Sequence, residues 1–333
     1  MDDIALNMGF HHYEHVDALI NGTVTIDGAS ARCHTAWVVS DIFERMIRGN
    51  EFDVSELGLT FYLRTLELDD PPFVALPIFL ARQFRHSAIF VNTASGIESP
   101  KDLAGKTIGE FAVYGHDAGV NAKGMLSDDY GVTPDQCRWV VGGFDFPIAP
   151  FDFVPQPHPD DVEVVRAPDD TALGPMLAAG EIDAMITADI PHCVIAKSPT
   201  VTRLFPDYRA VETDYYRRTG IFPIMHTVVI RRDLLAQRPE LAAAVYRAFC
   251  EAKDVVSQRY RNGRVLNHLD EMLPWISELY DDDIALLGEN YWPYGMAANQ
   301  APLDAFLRWH HEQGLSTRRW RTEEIFVPEL LGT

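Results

Sequence analysis

The sequence predicts an α/β fold divided between two lobes. Its 333 residues suffice for two domains of about 150 residues each. Short β-branched and aromatic runs alternate with amphipathic stretches, a pattern typical of open, mostly parallel sheets covered by helices. Residues 99–187 form a complete α/β unit, and the segments on either side of it are also α/β or helical. One lobe inserted into the other is therefore the simplest arrangement, with a ligand cleft where strand and helix ends meet.

The individual elements follow from these runs and from the residues that bound them. Strands are expected at residues 4–10, 32–39, 52–59, 73–78, 87–91, 107–111, 138–141, 162–166, 184–187 and 227–230. Helices are expected at 12–20, 41–48, 60–68, 117–126, 173–179 and 239–258. Ser40 or Asp41 is the predicted cap of the second helix, and Val245 and Val255 belong to the apolar stripe of the last. Five prolines exclude regular structure between 144 and 159.

Composition and charge limit the partners. The formal charge is 28 − 49 = −21, which disfavours nucleic acid and anionic membranes. The four cysteines form no CxxC pair, so we expect free thiols in a reducing compartment. The N-terminus starts acidic and lacks a long apolar core, and no apolar run reaches about 18 residues. We therefore expect a cytoplasmic protein with no membrane span.

Several strings occur in a familiar order over nearly the whole chain. The most specific are RQFRHS at 82–87 and YYRRTGIFPIMHT at 215–227. They are accompanied by EFDVSELGLTFY at 51–62, SPKDLAGKTIG at 99–109, GEIDAMITA at 180–188, WPYG at 292–295 and FLRWHHEQGLS at 306–316. With these strings the chain resembles the 4,5-dihydroxyphthalate decarboxylase family, which is similar in fold to type II periplasmic solute-binding proteins.

The resemblance implies a two-lobed type II periplasmic-binding-protein-like fold with a ligand cleft between the lobes. Residues 1–92 and 222–333 would form the first lobe and residues 93–221 the second, with hinges near 91–94 and 220–226. The implied reaction is decarboxylation of a hydroxylated aromatic acid, 4,5-dihydroxyphthalate (to protocatechuate) or a close relative. The resemblance implies no organic cofactor, and we expect a homo-oligomer.

Two cleft segments depart from the family pattern. A Cys-Gly-x-Tyr-Asp-like string after the first strand is replaced by MGFHHYEH at 8–15. Family strings of the type Tyr-x-x-Thr-Ala and Trp-x-Arg-Gly are replaced by YGHDA at 114–118 and NAKG at 121–124. The resemblance therefore leaves open which hydroxylated aromatic acid this chain takes.

Loss of CO2 from an aromatic ring needs cations for carboxylate, an acid near the reacting carbon and an acceptor for a hydroxyl proton. Arg82 and Arg85 suit the first role, because guanidinium binds carboxylate as a fork. His86, beside both arginines, is the first candidate acid, and His226 at the return crossover is the second. The alternatives are ordinary salt bridges for the arginines, a core histidine for His86 and a hinge histidine for His226.

The remaining candidates complete the expected site. Ser55 would form an anion site at a helix start or be a plain N-cap, and Glu56 would accept the phenolic proton or orient a histidine. His116 and Asp117 would form a proton-transfer pair, unless Asp117 only caps a helix. The other expected substrate contacts are Tyr114, Thr227 and His12. His11 and His15 have metal-ligand spacing, but no third ligand is evident and we expect no metal.

Two further functions compete with the enzyme. A solute-binding module that delivers a small aromatic anion to a transporter fits the same fold, and so does a precursor-synthesis or sensor protein. The clustering of histidine with arginine favours the enzyme, because a binder needs no acid.

Overall fold

The computed structural model describes residues 3–269 and 271–333, which build two mixed β-sheets. The strands are β1 (Ile4–Gly9), β2 (Ala29–His34), β3 (Val54–Gly58), β4 (Phe73–Leu76), β5 (Ile89–Asn92), β6 (Thr107–Phe111), β7 (Arg138–Gly142), β8 (Glu163–Arg166), β9 (Ala184–Ile186), β10 (Val201–Arg203) and β11 (His226–Arg231). Their order is β2-β1-β3-β11-β4 in the first sheet and β10-β5-β9-β6-β7-β8 in the second. Within each sheet, the strand that follows a crossover, β5 or β11, pairs antiparallel with its neighbours.

Helices cover both sheets. They are α1 (Asp17–Ile20), α2 (Val39–Gly49), α3 (Leu59–Thr65), α4 (Asp117–Tyr130), α5 (Leu173–Ala179), α6 (His192–Ile195), α7 (Tyr208–Thr219), α8 (Arg232–Gln237), α9 (Leu241–Val265), α10 (Ile276–Leu287), α11 (Gln300–Glu312) and α12 (Thr322–Ile325). Short 3₁₀ turns lie at Glu14–Val16, His86–Ala88, Pro100–Leu103, Pro134–Gln136, Ala297–Asn299 and Pro328–Leu330. Among the described residues, none of these helices is both long and apolar enough to cross a bilayer.

The chain passes between the sheets twice, and the two crossovers lie side by side. Arg82 bridges Ile224 in antiparallel fashion, and the Met225 N–H donates to the Ala81 carbonyl at 2.9 Å. The predicted boundary at residue 92 assigned the strand 87–91 to the first lobe, whereas β5 pairs within the second sheet. We therefore propose that the inserted lobe begins before β5 and ends before β11.

A second contact joins the two parts of the chain away from the crossovers. Helix α4 packs against α11 so closely that a Cβ atom on Gly124 would lie 2.1 Å from the Trp309 ring. The Trp309 indole N–H donates to Asp128 at 3.0 Å, and Arg308 forms an ion pair with the same carboxylate. Glycine at 124 is what permits this close approach.

Most predicted elements are confirmed, but the segment 32–39 was interpreted wrongly. Strand β2 ends at His34, and helix α2 begins at Val39 with Val38 as its cap residue, so neither Ser40 nor Asp41 caps it. The apolar residues Trp37 and Val38 suggested a buried strand, yet they are 93% and 48% exposed. Strand β10 was missed because its three residues are too short to form a pattern.

Helix α9 provides a direct test of which residues stabilise the core. Val245 is fully buried, whereas Val255, predicted to share its apolar stripe, is 45% exposed. We expect Val245→Ala to lower the free energy of unfolding by roughly 2 kcal/mol, since each buried methyl group contributes about 0.8 kcal/mol and a cavity adds to the loss. The same change at Val255 should stay within about 0.5 kcal/mol. Urea unfolding measures both, and equal losses would contradict the packing described here.

Candidate active site

A cavity of about 460 Å³ lies where the two crossovers meet the ends of both sheets. Its polar lining comes from the segment after β1, the crossovers, the start of α4 and the loop after β9, and consists of His11, Tyr13, Arg82, Gln83, His116, Asp117, Asp189 and His226. Its apolar walls include Phe43, Phe61, Leu80, Phe111, Phe144, Phe151, Met225 and Trp292. The start of α2, from Trp37 to Ser40, closes one side. A mainly aromatic cavity with a few convergent polar groups suits a planar, polar aromatic ligand.

His226 is held by a buried carboxylate. Strands β3 and β11 are antiparallel, with Val228 opposite Glu56, so His226 and Glu56 are diagonal neighbours on one face of the sheet. The His226 Nδ1 lies 2.7 Å from Glu56 Oε1, which also accepts a hydrogen bond from the Tyr13 hydroxyl at 2.7 Å. The second Glu56 oxygen accepts from the His11 backbone N–H at 2.8 Å. Glu56 is fully buried, and its carboxylate accepts three hydrogen bonds from the described residues.

This environment favours the protonated form of His226. Burial alone would lower its pKa, but the hydrogen bond and charge of Glu56, together with the charge of Asp117, outweigh burial and raise the pKa above its ordinary value. Burial and Glu56 also raise the pKa of Tyr13, so its hydroxyl stays a donor. An imidazolium at the wall of an aromatic cavity can donate a proton to a ring bound there.

A second imidazole enters the cavity from the start of α4. His116 Nδ1 lies 3.2 Å from Glu110 Oε1, and Glu110 also accepts from the Gly115 backbone N–H at 2.9 Å. The other Glu110 oxygen is 2.5 Å from the Lys123 ammonium, which lies over the Tyr114 ring at 4.0 Å. Burial raises the pKa of Glu110, but Lys123 and the His116 bond outweigh it and hold that pKa below its ordinary value.

Asp117 follows His116 and faces the same cavity. One of its oxygens accepts from the Thr60 backbone N–H at 2.8 Å, in the first turn of α3. Burial raises the pKa of Asp117, although His226 and the Thr60 bond oppose the shift. A Cβ atom on Gly58 would lie 2.2 Å from the other Asp117 oxygen, so only glycine leaves room for this carboxylate.

The two arginines predicted to bind carboxylate are not brought together at the cavity. Arg82 does line the cavity, but its guanidinium donates to the Pro293 carbonyl at 2.8 Å and to the Asn299 side chain. Arg85 lies behind the wall, where it donates to the backbone and side-chain oxygens of Gln83 at 3.1 and 2.7 Å. Burial lowers the pKa of Arg82 to about 9 and that of Arg85 to about 10.

The first candidate acid, His86, is also misplaced. It is 1% exposed and packs edge-on against the Phe205 and Tyr215 rings, on the α7 side of β5. Burial lowers the pKa of His86 to about 4, so it is neutral near pH 7. The structural alternative, a core histidine, fits these contacts.

Three residues that were predicted to contact the substrate bond instead to backbone carbonyls or to a side chain at the surface. Ser55 lies inside β3, not at a helix start, and its buried hydroxyl donates to the Gly9 carbonyl at 3.2 Å. The Thr227 hydroxyl donates to the Leu76 carbonyl at 2.9 Å. His12 is exposed and pairs with Asp17.

The last candidates concern Tyr114 and the histidines with metal-ligand spacing. The Tyr114 ring is buried beneath Lys123 and is not among the residues that line the cavity. The His11 ring bonds to the Ala36 carbonyl at 3.0 Å, and the His15 ring stacks on Tyr13. Within the described residues, no three His, Cys, Asp or Glu side chains are grouped as a metal site would require.

The comparison with known structures defines the class. A periplasmic sulfonate-binding protein of Methylobacillus flagellatus KT is similar with a TM-score of 0.59 and 15% identity, over 100% of this chain and 94% of that one. The alkanesulfonate-binding protein SsuA of Xanthomonas axonopodis pv. citri has a TM-score of 0.54 and 13% identity, over 98% and 99% of the two chains. The fold is thus the two-lobed α/β fold of periplasmic binding proteins. No profile of a known protein family matches the chain.

Closer relatives come from the sequence. The chain is 34% identical over 334 residues to the 4,5-dihydroxyphthalate decarboxylase of Comamonas testosteroni, covering 99% of this chain and 98% of the relative. It is 33% identical over 220 residues to the enzyme of the same name from Pseudomonas putida, covering 65% and 83%. This chain belongs to the 4,5-dihydroxyphthalate decarboxylase family, and the predicted resemblance is confirmed.

The contact between Glu56 and His226 leads to a testable prediction about the titration of the His226 imidazole. We expect Glu56→Gln to move the His226 titration to lower pH, because the hydrogen bond and charge of Glu56 then no longer oppose burial. Since the native pKa is raised, the pair's stabilisation is full below about pH 6.5 and is lost as the pH rises through the native value. NMR titration of the imidazole measures the shift, with the exposed Glu51→Gln as control. An unchanged midpoint in Glu56→Gln would refute the assignment.

Proposed function

We propose that this protein catalyses the non-oxidative decarboxylation of a hydroxylated aromatic acid, 4,5-dihydroxyphthalate or a close relative. The observation that carries the proposal is the imidazolium of His226, held by buried Glu56 at the wall of an aromatic cavity that also contains His116 and Asp117. Family membership supports the same reaction, since both curated relatives bear the name of such a decarboxylase.

The chemistry divides between the two imidazoles. In 4,5-dihydroxyphthalate each hydroxyl is para to a carboxylated carbon, so removal of the hydroxyl proton pushes electrons toward that carbon. His116, whose ring bonds to Glu110 rather than to Asp117, accepts this proton while His226 protonates the ring carbon. The bond to the carboxylate then breaks, its electron pair restores the aromatic ring, and CO2 leaves. The phenolate recovers its proton and His226 takes one from solvent, so each turnover consumes one proton.

In this proposal the N-termini of two helices, rather than a pair of arginines, bind the carboxylate of the substrate. Helices α2 and α4 both start at the cavity, and their cap residues Val38 and His116 make no side-chain capping bond within the described chain. The N–H groups of a first turn lack intrahelical partners and lie at the positive end of the helix dipole. They can accept an anion that the molecule's overall charge of −21 would otherwise repel.

The competing function is solute binding, because the structural neighbours that share this fold bind sulfonates. Two open helix ends would serve a binder equally well. The imidazolium–carboxylate pair favours the enzyme, since a binder gains nothing from a proton donor beside the ring.

Two properties of the working protein are part of the proposal. We place it in the cytoplasm, which is supported by four free cysteines, Cys33, Cys137, Cys193 and Cys250. We also expect a homo-oligomer. Copies of charge −21 repel one another, so their contact needs apolar surface, and the turn between α9 and α10 exposes Leu269, Met272 and Trp275 by 81%, 99% and 73%.

The oligomer is tested by making that turn polar. Trp275→Asp should shift the protein to a smaller assembly, because a charge on the apolar patch disfavours contact between copies. Sedimentation velocity measures the change, and Trp37→Asp, also on an exposed tryptophan, is the control for folding and charge. An assembly that persists unchanged in Trp275→Asp would place the contact elsewhere.

Activity is tested with the purified protein, 4,5-dihydroxyphthalate and related hydroxybenzoates, by following CO2 release. His226→Asn should lower kcat by roughly 10²- to 10⁴-fold, the usual contribution of a positioned acid. His12→Asn should stay within about twofold, since His12 is exposed and bonded to Asp17. Tight binding of these acids without turnover would favour the solute-binding function instead.

A further inference from the structure

The two buried carboxylates that hold the cavity imidazoles differ in what balances their charge. Besides His226, the donors that Glu56 receives from the described residues are neutral, namely the Tyr13 hydroxyl and the His11 backbone N–H. Glu110 receives the full positive charge of Lys123 at 2.5 Å, in a position where lysine and glutamate are both buried. One imidazole thus faces a net negative charge, and the other faces a neutral ion pair.

The hydrogen bonds fix which His116 nitrogen carries a proton. An ionised carboxylate only accepts, so the His116 nitrogen beside Glu110, Nδ1, must be the donor. The other nitrogen, Nε2, is buried without a hydrogen-bond partner in the part of the chain that the structure describes. His116 is 6% exposed and its ring lines the cavity, so Nε2 is an unshared acceptor close to the cavity wall.

We propose that Lys123 is a positioning residue that, by balancing the charge of Glu110, lets His116 act as the base that accepts the phenolic proton. The inference rests on the proposed function and deepens it, because it explains how two histidines in one cavity take opposite roles. Acid and base must be in opposite protonation states at the same pH, and different partner charges achieve this. Lys123 touches neither substrate nor His116 and acts only by cancelling the charge of Glu110.

The other charged groups around His116 do not disturb this balance. They come from α3, α4, the crossovers and the loop after β9, and are Arg64, Asp117, Arg85, His226 and Asp189. Two carboxylates there are matched by two guanidinium groups. The Glu110–Lys123 pair therefore decides the charge that His116 experiences. Burial lowers the pKa of Lys123 to about 8 despite Glu110, which leaves the ammonium mostly charged at pH 7.

The test removes the positive charge and follows His116 directly. In Lys123→Met, Glu110 is left uncompensated, so NMR titration of the His116 ring in substrate-free protein should move up by at least about one pH unit. The acidic limb of kcat/KM should move the same way, and turnover near pH 7 should fall about tenfold or more. Lys123→Arg should behave like the wild type, since it retains the charge.

Further variants separate this role from simple stability. Lys123→Gln keeps a hydrogen bond to Glu110 and carries the same test if Lys123→Met does not fold. The double variant Lys123→Met with Glu110→Gln removes both charges and should return the His116 titration to near its wild-type position. Lys253→Met, which replaces another buried lysine that does not line the cavity and bonds to Asn290, should leave the His116 titration unchanged.

Two results would overturn the inference. One is an unchanged His116 titration in a folded Lys123→Met or Lys123→Gln variant, and the other is a shift that the double variant fails to reverse. Because the titration needs no turnover, a wild-type protein that releases no CO2 refutes the proposed function alone. The imidazole measurement then still decides the role of Lys123.

Discussion

The structure depends on keeping two ionised glutamates inside the protein. A carboxylate removed from water without partners is costly, so burial of Glu56 and Glu110 is possible only where the fold supplies donors. For Glu56, the donors come from the segment after β1 and from β11, which are far apart in sequence. For Glu110, they come from the loop after β6 and from α4. The two sites thus tie the first sheet to the return crossover and the second sheet to its first long helix.

The same contacts explain why the cavity forms where it does. The crossovers are joined by backbone hydrogen bonds around Ala81 and Met225, and α4 is pinned to α11 by Trp309 above Gly124. The cavity lies between the paired crossovers and the α4–α11 contact, with His226 on one side and His116 on the other. In this structure the separation of the two imidazoles is set by the packing of α4 against α11 as well as by the paired crossovers.

The sequence predicted the architecture well because strands and helices are local patterns. The elements 107–111 and 173–179 match the structure residue by residue, since alternating or periodic burial within one segment decides them. His226, His116 and Asp117 were expected at the cleft from their positions at the return crossover and in the loop after a strand, and all three line the cavity. Trp37 and Val38 misled the prediction, because an exposed apolar pair at the mouth of a cavity has the same sequence signature as a buried strand.

The errors in the predicted site residues have a different origin. Whether a residue reaches the cavity depends on the direction of its side chain and on partners from other segments of the chain. His86 and Arg85 are neighbours in sequence of the cavity-lining Arg82, but the chain turns there and directs them into the core. Adjacency in sequence was taken as adjacency in the site. Glu110 and Lys123 were missed for the converse reason. The only local signal was a glutamate inside the apolar strand TIGEF, and its meaning appears only when a lysine 13 residues later is buried beside it.

The position of His226 also bears on how the leaving carboxylate is treated. The Phe43 ring meets the His226 imidazole edge-on at 5.2 Å, and Leu80 and Met225 extend this apolar wall. If His226 protonates the ring carbon, the carboxylate on that carbon must lie beside this wall. Beside an apolar wall the charged carboxylate finds few hydrogen-bond donors. The neutral CO2 that forms from it does not need such donors. Apart from the His226 imidazolium, the leaving carboxylate then meets little that stabilises its charge, while the retained acidic group can lie at a helix start. Selectivity between two carboxylates of a diacid would follow from the contrast between an apolar wall and an open helix end.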